Sequence, residues 1–195
     1  MAIIEAIGDL DRAVLDGAIA LRTDALTLAM RALSTDWVRG PVIVGAGVVA
    51  WWRTRPRPAP LTPLLALAAY FAASGAARLL KVAVDRDRPP LDGAADALVA
   101  LPGDASFPSG HAATAFAAAV VVGAAHPRLR APLLALAGMV ALSRIYLGVH
   151  YPLDVAAGGA LGVATAWIVL RAARLAGAVR RRGGLDASPD GAAAR

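Results

Sequence analysis

The stretch SRIYLGVHYPLD, residues 143–154, places an arginine, a histidine and an aspartate between two strongly apolar segments. Pro152 is typical of the first turn of a helix, so His150 lies near the helix cap and Asp154 within the first turn. An aspartate at this position can stabilise the helix N-terminus through the helix dipole. It can also accept the Nδ1–H of His150 and leave Nε2 free, as the acid of a catalytic triad does.

A second polar cluster, SFPSGHAATAF (residues 106–116), opens an apolar segment. Pro108 followed by Ser109 and Gly110 is typical of a helix start, where free backbone N–H groups and the helix dipole bind anions. Gly110 lets an oxyanion approach the main chain, and His111 falls in the first turn. Taken alone, the cluster could also be a serine cap beside an incidental interfacial histidine.

A third cluster, KVAVDRDRPP (residues 81–90), carries Lys81 and Arg88 at the end of an apolar segment. Taken alone, these two cations could reach for lipid headgroups. Together with Arg144, however, three cations are available to surround the oxygens of a phosphoryl group.

The three clusters combined indicate a site for phosphoryl transfer. Ser109 and the amides of Gly110 and His111 can add hydrogen bonds to the bound anion. An imidazole paired with a carboxylate, plus a second imidazole as general acid, completes such a site. The chain has no cysteine, and the clusters contain no group of carboxylates, so we predict no metal and no cofactor. The cations of the protein must then neutralise the phosphate.

The composition predicts the kind of fold that positions these clusters. Of the 195 residues, 58% are apolar, above the roughly 45–50% of soluble domains. The net charge of +6 could indicate nucleic-acid binding, but arginines that orient a membrane protein explain it better, and we predict no nucleic-acid partner. We predict an all-α, multi-span transmembrane bundle with about five spanning helices, which cover residues 37–52, 61–84, 108–125, 131–149 and 152–176.

Three regions are predicted along the chain. Residues 1–36 form an amphipathic helical segment, which lies at the membrane interface or packs on the bundle as a soluble-type helix would. Residues 37–178 form the membrane-embedded domain, and residues 179–195 a disordered cytoplasmic tail.

The arginines of the 53–60 linker, the 126–131 turn and the tail fall on one side of the predicted bundle. The positive-inside rule places that side in the cytoplasm. We therefore predict a multi-pass protein of the cell membrane whose site faces the extracytoplasmic side.

The clusters resemble the signature of the type 2 phosphatidic acid phosphatase superfamily, which also contains vanadium haloperoxidases. That signature is a lysine, six residues and Arg-Pro, then Pro-Ser-Gly-His, then Ser-Arg, five residues, His, three residues and Asp. Here it runs without gaps from Lys81 to Asp154. The resemblance implies that His150 is the nucleophile, oriented by Asp154, and that His111 protonates the leaving group. It implies that the phosphoryl oxygens are bound by Lys81, Arg88, Ser109, Gly110 and Arg144.

A short, helical, membrane-embedded member resembles the bacterial lipid phosphatases. The resemblance implies hydrolysis of an undecaprenyl or decaprenyl diphosphate in cell-wall synthesis, or of phosphatidic acid or phosphatidylglycerol phosphate. A lipid phosphotransferase, a vanadate-dependent haloperoxidase and a non-enzymatic anion-binding protein are the alternatives. The sequence predicts no particular oligomeric state.

Overall fold

The computed structural model describes residues 2–54, 61–90, 98–99 and 103–185, and most of these residues are helical. No strand occurs within these ranges, so the all-α prediction is confirmed. The elements are, in chain order, α1 (Ala2–Ala20), α2 (Asp24–Leu33), a π-helical turn (Val38–Val42), α3 (Ile43–Thr54), α4 (Leu61–Val84), α5 (Gly110–Ala125), α6 (Pro127–Tyr146) and α7 (Pro152–Leu185).

Helix α5 lies at the centre of the bundle, in contact with α3, α4, α6 and α7. Alanine fills most of its buried positions, and such small side chains let neighbouring backbones approach closely. The approach to α7 is especially close, because a Cβ at Gly158 or Gly162 would overlap the backbone of α5. This packing sets the starts of the two helices side by side, where the Ser109 N–H donates to the Asp154 carbonyl at 2.9 Å.

Three of the described helices are long and apolar enough to cross a membrane: α4, α6 and α7 up to Ala178. Helix α5 is apolar but has only 16 residues, or about 24 Å, and its neighbours bury most of it. The predicted membrane helical bundle is confirmed, and the predicted span 61–84 coincides with α4.

The predicted first span, residues 37–52, is helical but is not a single α-helix. Pro41 lacks the N–H that an α-helical turn needs, and the turn around it is π-helical. The helix that follows, α3, has 12 residues, or about 18 Å. It is therefore shorter than the hydrocarbon core of a bilayer, which is about 30 Å thick.

Helices α6 and α7 differ from their predicted bounds. Helix α6 starts at Pro127 rather than residue 131, since the proline occupies the first turn, and it ends before Gly148, whose φ is +76°. Helix α7 runs to Leu185, because its alanines and arginines are strong helix formers. Residues 179–185 are thus helical where a disordered tail was predicted. The predicted linker beyond residue 54 and the tail beyond residue 185 lie outside the described residues.

The N-terminal helices rest on the bundle. Helix α1 contacts α6 and α7, and α2 contacts α6 and the π turn. Asp11 and Leu15 of α1 are buried, whereas Ile7, Leu10 and Val14 are exposed. These three apolar residues therefore point away from the bundle, which fits a helix at the membrane interface, while Leu15, Ala18 and Ile19 pack against it. The division of the chain at residues 36 and 178 stays a prediction.

Candidate active site

A cavity of about 240 Å³ lies where the C-terminal ends of α4 and α6 meet the N-terminal end of α5 and the π turn. Six of the eight predicted site residues line it, and the other two, Ser109 and Asp154, are fully buried beside it. The structure therefore brings all eight together. The lining residues are Arg39, Ser74, Ala77, Arg78, Lys81, Arg88, Asp104, Gly110, His111, Arg144 and His150.

His150 is held through a serine that the sequence analysis did not assign. Its Nδ1 lies 3.3 Å from Ser106 Oγ and 3.6 Å from Asp154 Oδ2. The second distance is longer than a typical hydrogen bond, so Ser106 is the nearer of the two partners, and the role of Asp154 in orienting His150 stays a prediction. The Ser106 hydroxyl donates to Asp154 Oδ2 at 2.5 Å, and its oxygen can therefore accept the Nδ1–H of His150. With Nδ1 facing Ser106 and Asp154, the other ring nitrogen of His150, Nε2, faces Arg88, whose Nη1 is 3.3 Å away.

Arg86 holds Asp154 in place and bridges it to the N-terminal helix, α1. Arg86 donates to Asp154 Oδ1 and to Asp11 Oδ2, each at 2.7 Å. Asp11 Oδ1 in turn accepts the Leu153 N–H at 2.8 Å. The guanidinium also lies 4.3 Å from the centre of the Tyr151 ring. Each oxygen of these buried carboxylates therefore has a partner, which orders the start of α7 beneath His150.

Lys81 and Arg88 converge on one anionic group. Arg88 Nη2 donates to Asp104 Oδ1 at 2.6 Å, Lys81 Nζ lies 3.4 Å from Asp104 Oδ2, and Lys81 also donates to the Ala105 carbonyl. Although burial raises the pKa of Asp104, the hydrogen bond from Arg88 and the charge of Lys81 outweigh it and lower that pKa. The carboxylate demonstrates that these two cations can neutralise a single oxyanion at the cavity.

The start of α5 presents a buried hydroxyl that has no hydrogen-bond partner in the described part of the chain. Ser109 is fully buried, and its Oγ finds no hydrogen-bond partner among the described residues. An unsatisfied buried hydroxyl lowers the stability of a protein by about 1–3 kcal/mol. A bound oxyanion would supply the missing hydrogen-bond partner. A Cβ built at Gly110 would meet no atom within 4 Å. Open space therefore lies directly over this helix N-terminus, where an anion is favoured.

His111 and Arg144 are joined by a residue of the N-terminal segment. His111 Nε2 donates to the Ser34 carbonyl at 3.1 Å, and Arg144 Nη1 donates to the Ser34 hydroxyl. Asp36 lies 3.7 Å from the same imidazole nitrogen. The segment after α2 therefore contacts both the predicted acid, His111, and a predicted phosphate ligand, Arg144.

Two further arginines, Arg39 and Arg78, line the cavity. Arg39 comes from the π turn and pairs with Asp36 at 2.8 Å, and its Nε is buried without a partner among the described residues. Arg78 precedes Lys81 by one turn of α4 and forms no ion pair with the described residues. The cavity therefore has five cations where the sequence predicted three.

The environment of His150 favours the neutral imidazole. Burial lowers the pKa of His150 to about 4, and the charges of Arg88 and Arg144 act in the same direction, against Asp154. At neutral pH the ring is therefore unprotonated at Nε2, as a nucleophile must be.

The residues that sequence reasoning missed differ in how visible they were. Ser106 lies in the cluster at residues 106–116 and Arg86 in the cluster at residues 81–90, but their residue types alone indicated no role. Asp11 and Ser34 carry no local signal, because only the tertiary fold brings α1 and α2 to the site. Among the described residues, no three His, Cys, Asp or Glu side chains form a group that could hold a metal ion.

The family model for the PAP2 superfamily matches residues 62–177, and the chain belongs to this family of helical phosphatases and their relatives. A decaprenylphosphoryl-5-phosphoribose phosphatase of Mycobacterium tuberculosis is 48% identical over 107 residues, which are 54% of this chain and 58% of that protein. The enzyme of the same name from Mycolicibacterium smegmatis is 40% identical over 148 residues, or 72% of this chain and 75% of that protein. The match to the first of these relatives thus spans little more than half of its length.

A solved structure supports the fold independently of these matches. The transmembrane PAP2-type phosphatidylglycerolphosphate phosphatase of Bacillus subtilis superposes with a TM-score of 0.68 over 87% of each chain, at 23% identity. At this identity the likeness extends to the fold alone. The helical bundle is therefore that of a membrane PAP2 protein.

Proposed function

We propose that this protein is a metal-independent lipid phosphatase that works through a phosphohistidine. The observation that carries the proposal is the arrangement at His150. Its Nδ1 faces Ser106 and Asp154, while its Nε2 lies beside Arg88 at a cavity lined by five cations. We expect a phosphate bound to those cations to hold its phosphorus next to Nε2 of a neutral imidazole, as an in-line displacement requires.

The reaction runs in two displacements. His150 Nε2 attacks phosphorus, the bond from phosphorus to the leaving oxygen breaks, and that oxygen takes a proton from His111. Water then attacks the phosphohistidine and gives a proton to His111, the P–N bond breaks, and inorganic phosphate leaves from the restored imidazole of His150. Lys81, Arg88 and Arg144, with Ser109 and the amide of Gly110, stabilise the charge on the equatorial oxygens in both steps.

The additional cations favour a lipid with a second phosphate near the one that is removed. Arg39 and Arg78 line the same cavity as the three signature cations. Asp104 pairs with Lys81 and Arg88, and Asp36 pairs with Arg39, but the five cations still outnumber these two carboxylates by three, which leaves room for more negative charge than one phosphate monoester carries. A polyprenyl diphosphate, or a polyprenyl-phosphate sugar that carries a further phosphate, as in the names of the mycobacterial relatives, has two phosphates. We propose a polyprenyl lipid of this kind as the substrate, with phosphatidic acid or phosphatidylglycerol phosphate as the alternative.

A substrate panel tests the function. The detergent-purified protein is assayed in EDTA for phosphate release from a polyprenyl diphosphate, phosphatidic acid and phosphatidylglycerol phosphate. We expect release without added Mg²⁺, inhibition by vanadate as a phosphate mimic, and the highest kcat/KM on the polyprenyl lipid. His150→Ala is the inactive control. An enzyme that is dead in EDTA and restored by Mg²⁺ would contradict the proposal.

We also propose that the site faces the extracytoplasmic side. The end of the bundle away from the site carries Arg53 in the last turn of α3 and Arg128 and Arg130 in the first turn of α6, which supports a cytoplasmic position for that end. The chain has no cysteine, so single cysteines report without background. Gly103→Cys should react with an impermeant thiol reagent in intact cells, and Ala124→Cys only after lysis. The reverse pattern would overturn the orientation.

A further inference from the structure

We infer that Asp11 of α1 and Arg86, in the loop after α4, are positioning residues for the catalytic reaction. They act on His150 through Asp154, so that the N-terminal helix becomes a part of the active site that catalysis requires. This inference rests on the proposed phosphatase function. Neither Asp11 nor Arg86 lines the catalytic cavity, and we therefore expect neither of them to touch the substrate.

The Asp154 carboxylate is held at both of its oxygens. Its Oδ1 accepts a hydrogen bond from Arg86 at 2.7 Å, and its Oδ2 accepts from the Ser106 hydroxyl at 2.5 Å and from the Tyr151 N–H at 3.0 Å. The side chain of Asp154 is 0% exposed, so solvent does not replace a partner that is removed. Without Arg86, the carboxylate would be free to rotate about its Cβ–Cγ bond, and Oδ2 would leave the serine that faces His150.

Arg86 shares one positive charge between two buried carboxylates. The side chain of Asp11 is 4% exposed, and Arg86 donates to Asp11 and to Asp154 at 2.7 Å each. Removing one partner of a buried ion pair leaves a charge without compensation, which is strongly unfavourable. The planar guanidinium can donate to two carboxylates at once, whereas the ammonium of a lysine is a single point of charge. Arg86 is therefore suited to hold Asp11 and Asp154 in a fixed relation.

Asp11 also contacts the start of α7 directly. Its Oδ1 accepts the Leu153 N–H at 2.8 Å, and amides in the first turn of a helix have no acceptor within the helix itself. A carboxylate of α1 thus caps α7 one residue before Asp154, where the helix dipole favours a negative charge. Through its two oxygens, Asp11 holds both the backbone that carries Asp154 and the arginine that orients it.

The packing of α1 keeps Asp11 in this position. Leu15, one turn after Asp11, is buried in an apolar cluster with residues of α5, α6 and α7. The same face of α1 therefore carries an apolar contact and the buried carboxylate. Helix α1 precedes residue 62, where the match to the family model begins, so the support for Asp154 comes from a part of the chain that the match does not cover.

The test is a double-mutant cycle on the full chain in detergent. Asp11→Asn and Arg86→Gln each remove one charge, and the asparagine can still accept the Leu153 N–H. Each variant is assayed for kcat and KM on a polyprenyl diphosphate and on p-nitrophenyl phosphate, and for inhibition by vanadate. We expect kcat to fall about 10–100-fold on both substrates, as for other lost partners of an oriented histidine. The KM and the inhibition constant of vanadate should stay the same, because the phosphate ligands are left in place.

The double variant distinguishes a shared role from two separate ones. If Asp11 acts through Arg86, the double variant should lose no more kcat than Arg86→Gln alone, because residues of one network are not additive. The matched control is Asp16→Asn, which makes the same change at an exposed position of α1 and should leave kcat at the wild-type value. Arg86→Lys guards against misfolding of Arg86→Gln, since it keeps the charge and should recover part of the lost kcat.

Three results would contradict the inference. An unchanged kcat in Asp11→Asn or in Arg86→Gln would overturn it, and so would losses that multiply in the double variant. A rise in KM and in the inhibition constant of vanadate, alongside the fall in kcat, would show that the network holds the cavity together rather than positions His150. A wild-type protein without phosphatase activity would instead overturn the proposed function, and the inference with it.

Discussion

At the scale of single residues, the structure adds Ser106 to the predicted pair of His150 and Asp154. The sequence pattern placed Asp154 against His150, but the hydroxyl of Ser106 lies between them, at 2.5 Å from the carboxylate and 3.3 Å from the imidazole. A hydroxyl can donate to one partner and accept from the other. We therefore predict that the carboxylate orients His150 through Ser106 and that this serine decides which ring nitrogen is free.

Ser106→Ala should lower kcat on a lipid phosphate by about 10–100-fold, the usual effect of removing a partner that orients a histidine, with little change in KM. The reason is that Nδ1–H loses its acceptor while the phosphate ligands stay in place. Thr165→Ala is the matched control, since Thr165 is also buried but donates within its own helix to the Leu161 carbonyl at 2.8 Å. A rise in KM with unchanged kcat would mean that Ser106 binds substrate.

The two histidines should respond differently to the leaving group. A lipid alcohol needs a proton as it departs, whereas p-nitrophenolate leaves without one, and general acid catalysis contributes about 10²–10⁴-fold. His111→Ala should lose roughly that factor on a lipid monophosphate and much less on p-nitrophenyl phosphate. His150→Ala should be inactive on both. Equal losses in His111→Ala would show that His111 binds phosphate rather than donates a proton.

At the scale of elements, glycines of α7 place the two catalytic helix starts together. A Cβ at Gly158 would overlap the Ser109 carbonyl, immediately behind the predicted phosphate ligands. Helix α7 would have to move away from α5, and Asp154 would move with it.

Gly158→Ala should therefore destabilise the protein by about 1–3 kcal/mol, the cost of overpacking a close contact, and reduce activity. Gly138→Ala makes the same change in open space and should leave stability equal or slightly higher, since alanine is the better helix former. Thermal unfolding in detergent measures both variants. Equal melting temperatures would contradict the proposed role of Gly158.

The elements were predictable to different degrees. Helix α4 was predicted to the residue, because 24 residues of mostly apolar sequence end at a proline-rich loop. The first predicted span was not, because Pro41 sets a local π turn that hydropathy does not register. The extension of α7 was missed because a run of charged residues is equally typical of a helix in water and of a tail.

At the scale of the molecule, the signature residues and their meeting place followed from the sequence, since helix ends on one side of a bundle come together. The contribution of the N-terminal helices to the site could not be predicted from the sequence. Asp11 and Ser34 reach residues 142 and 110 positions away, and such long-range contacts leave no trace in local spacing. The structure therefore adds a cap of α1 and α2 to a site that the signature alone places within the bundle.

The central claim is that His150 carries the phosphoryl group, and one measurement tests it directly. Wild-type protein is mixed with a radiolabelled lipid phosphate in EDTA, quenched with alkali within a turnover, digested and mapped by mass spectrometry. A phosphohistidine is stable in alkali and lost in acid, so we expect an acid-labile label on the peptide that contains His150, and none in His150→Ala. A label that persists in His150→Ala, or that maps to His111, would contradict the assignment of the nucleophile.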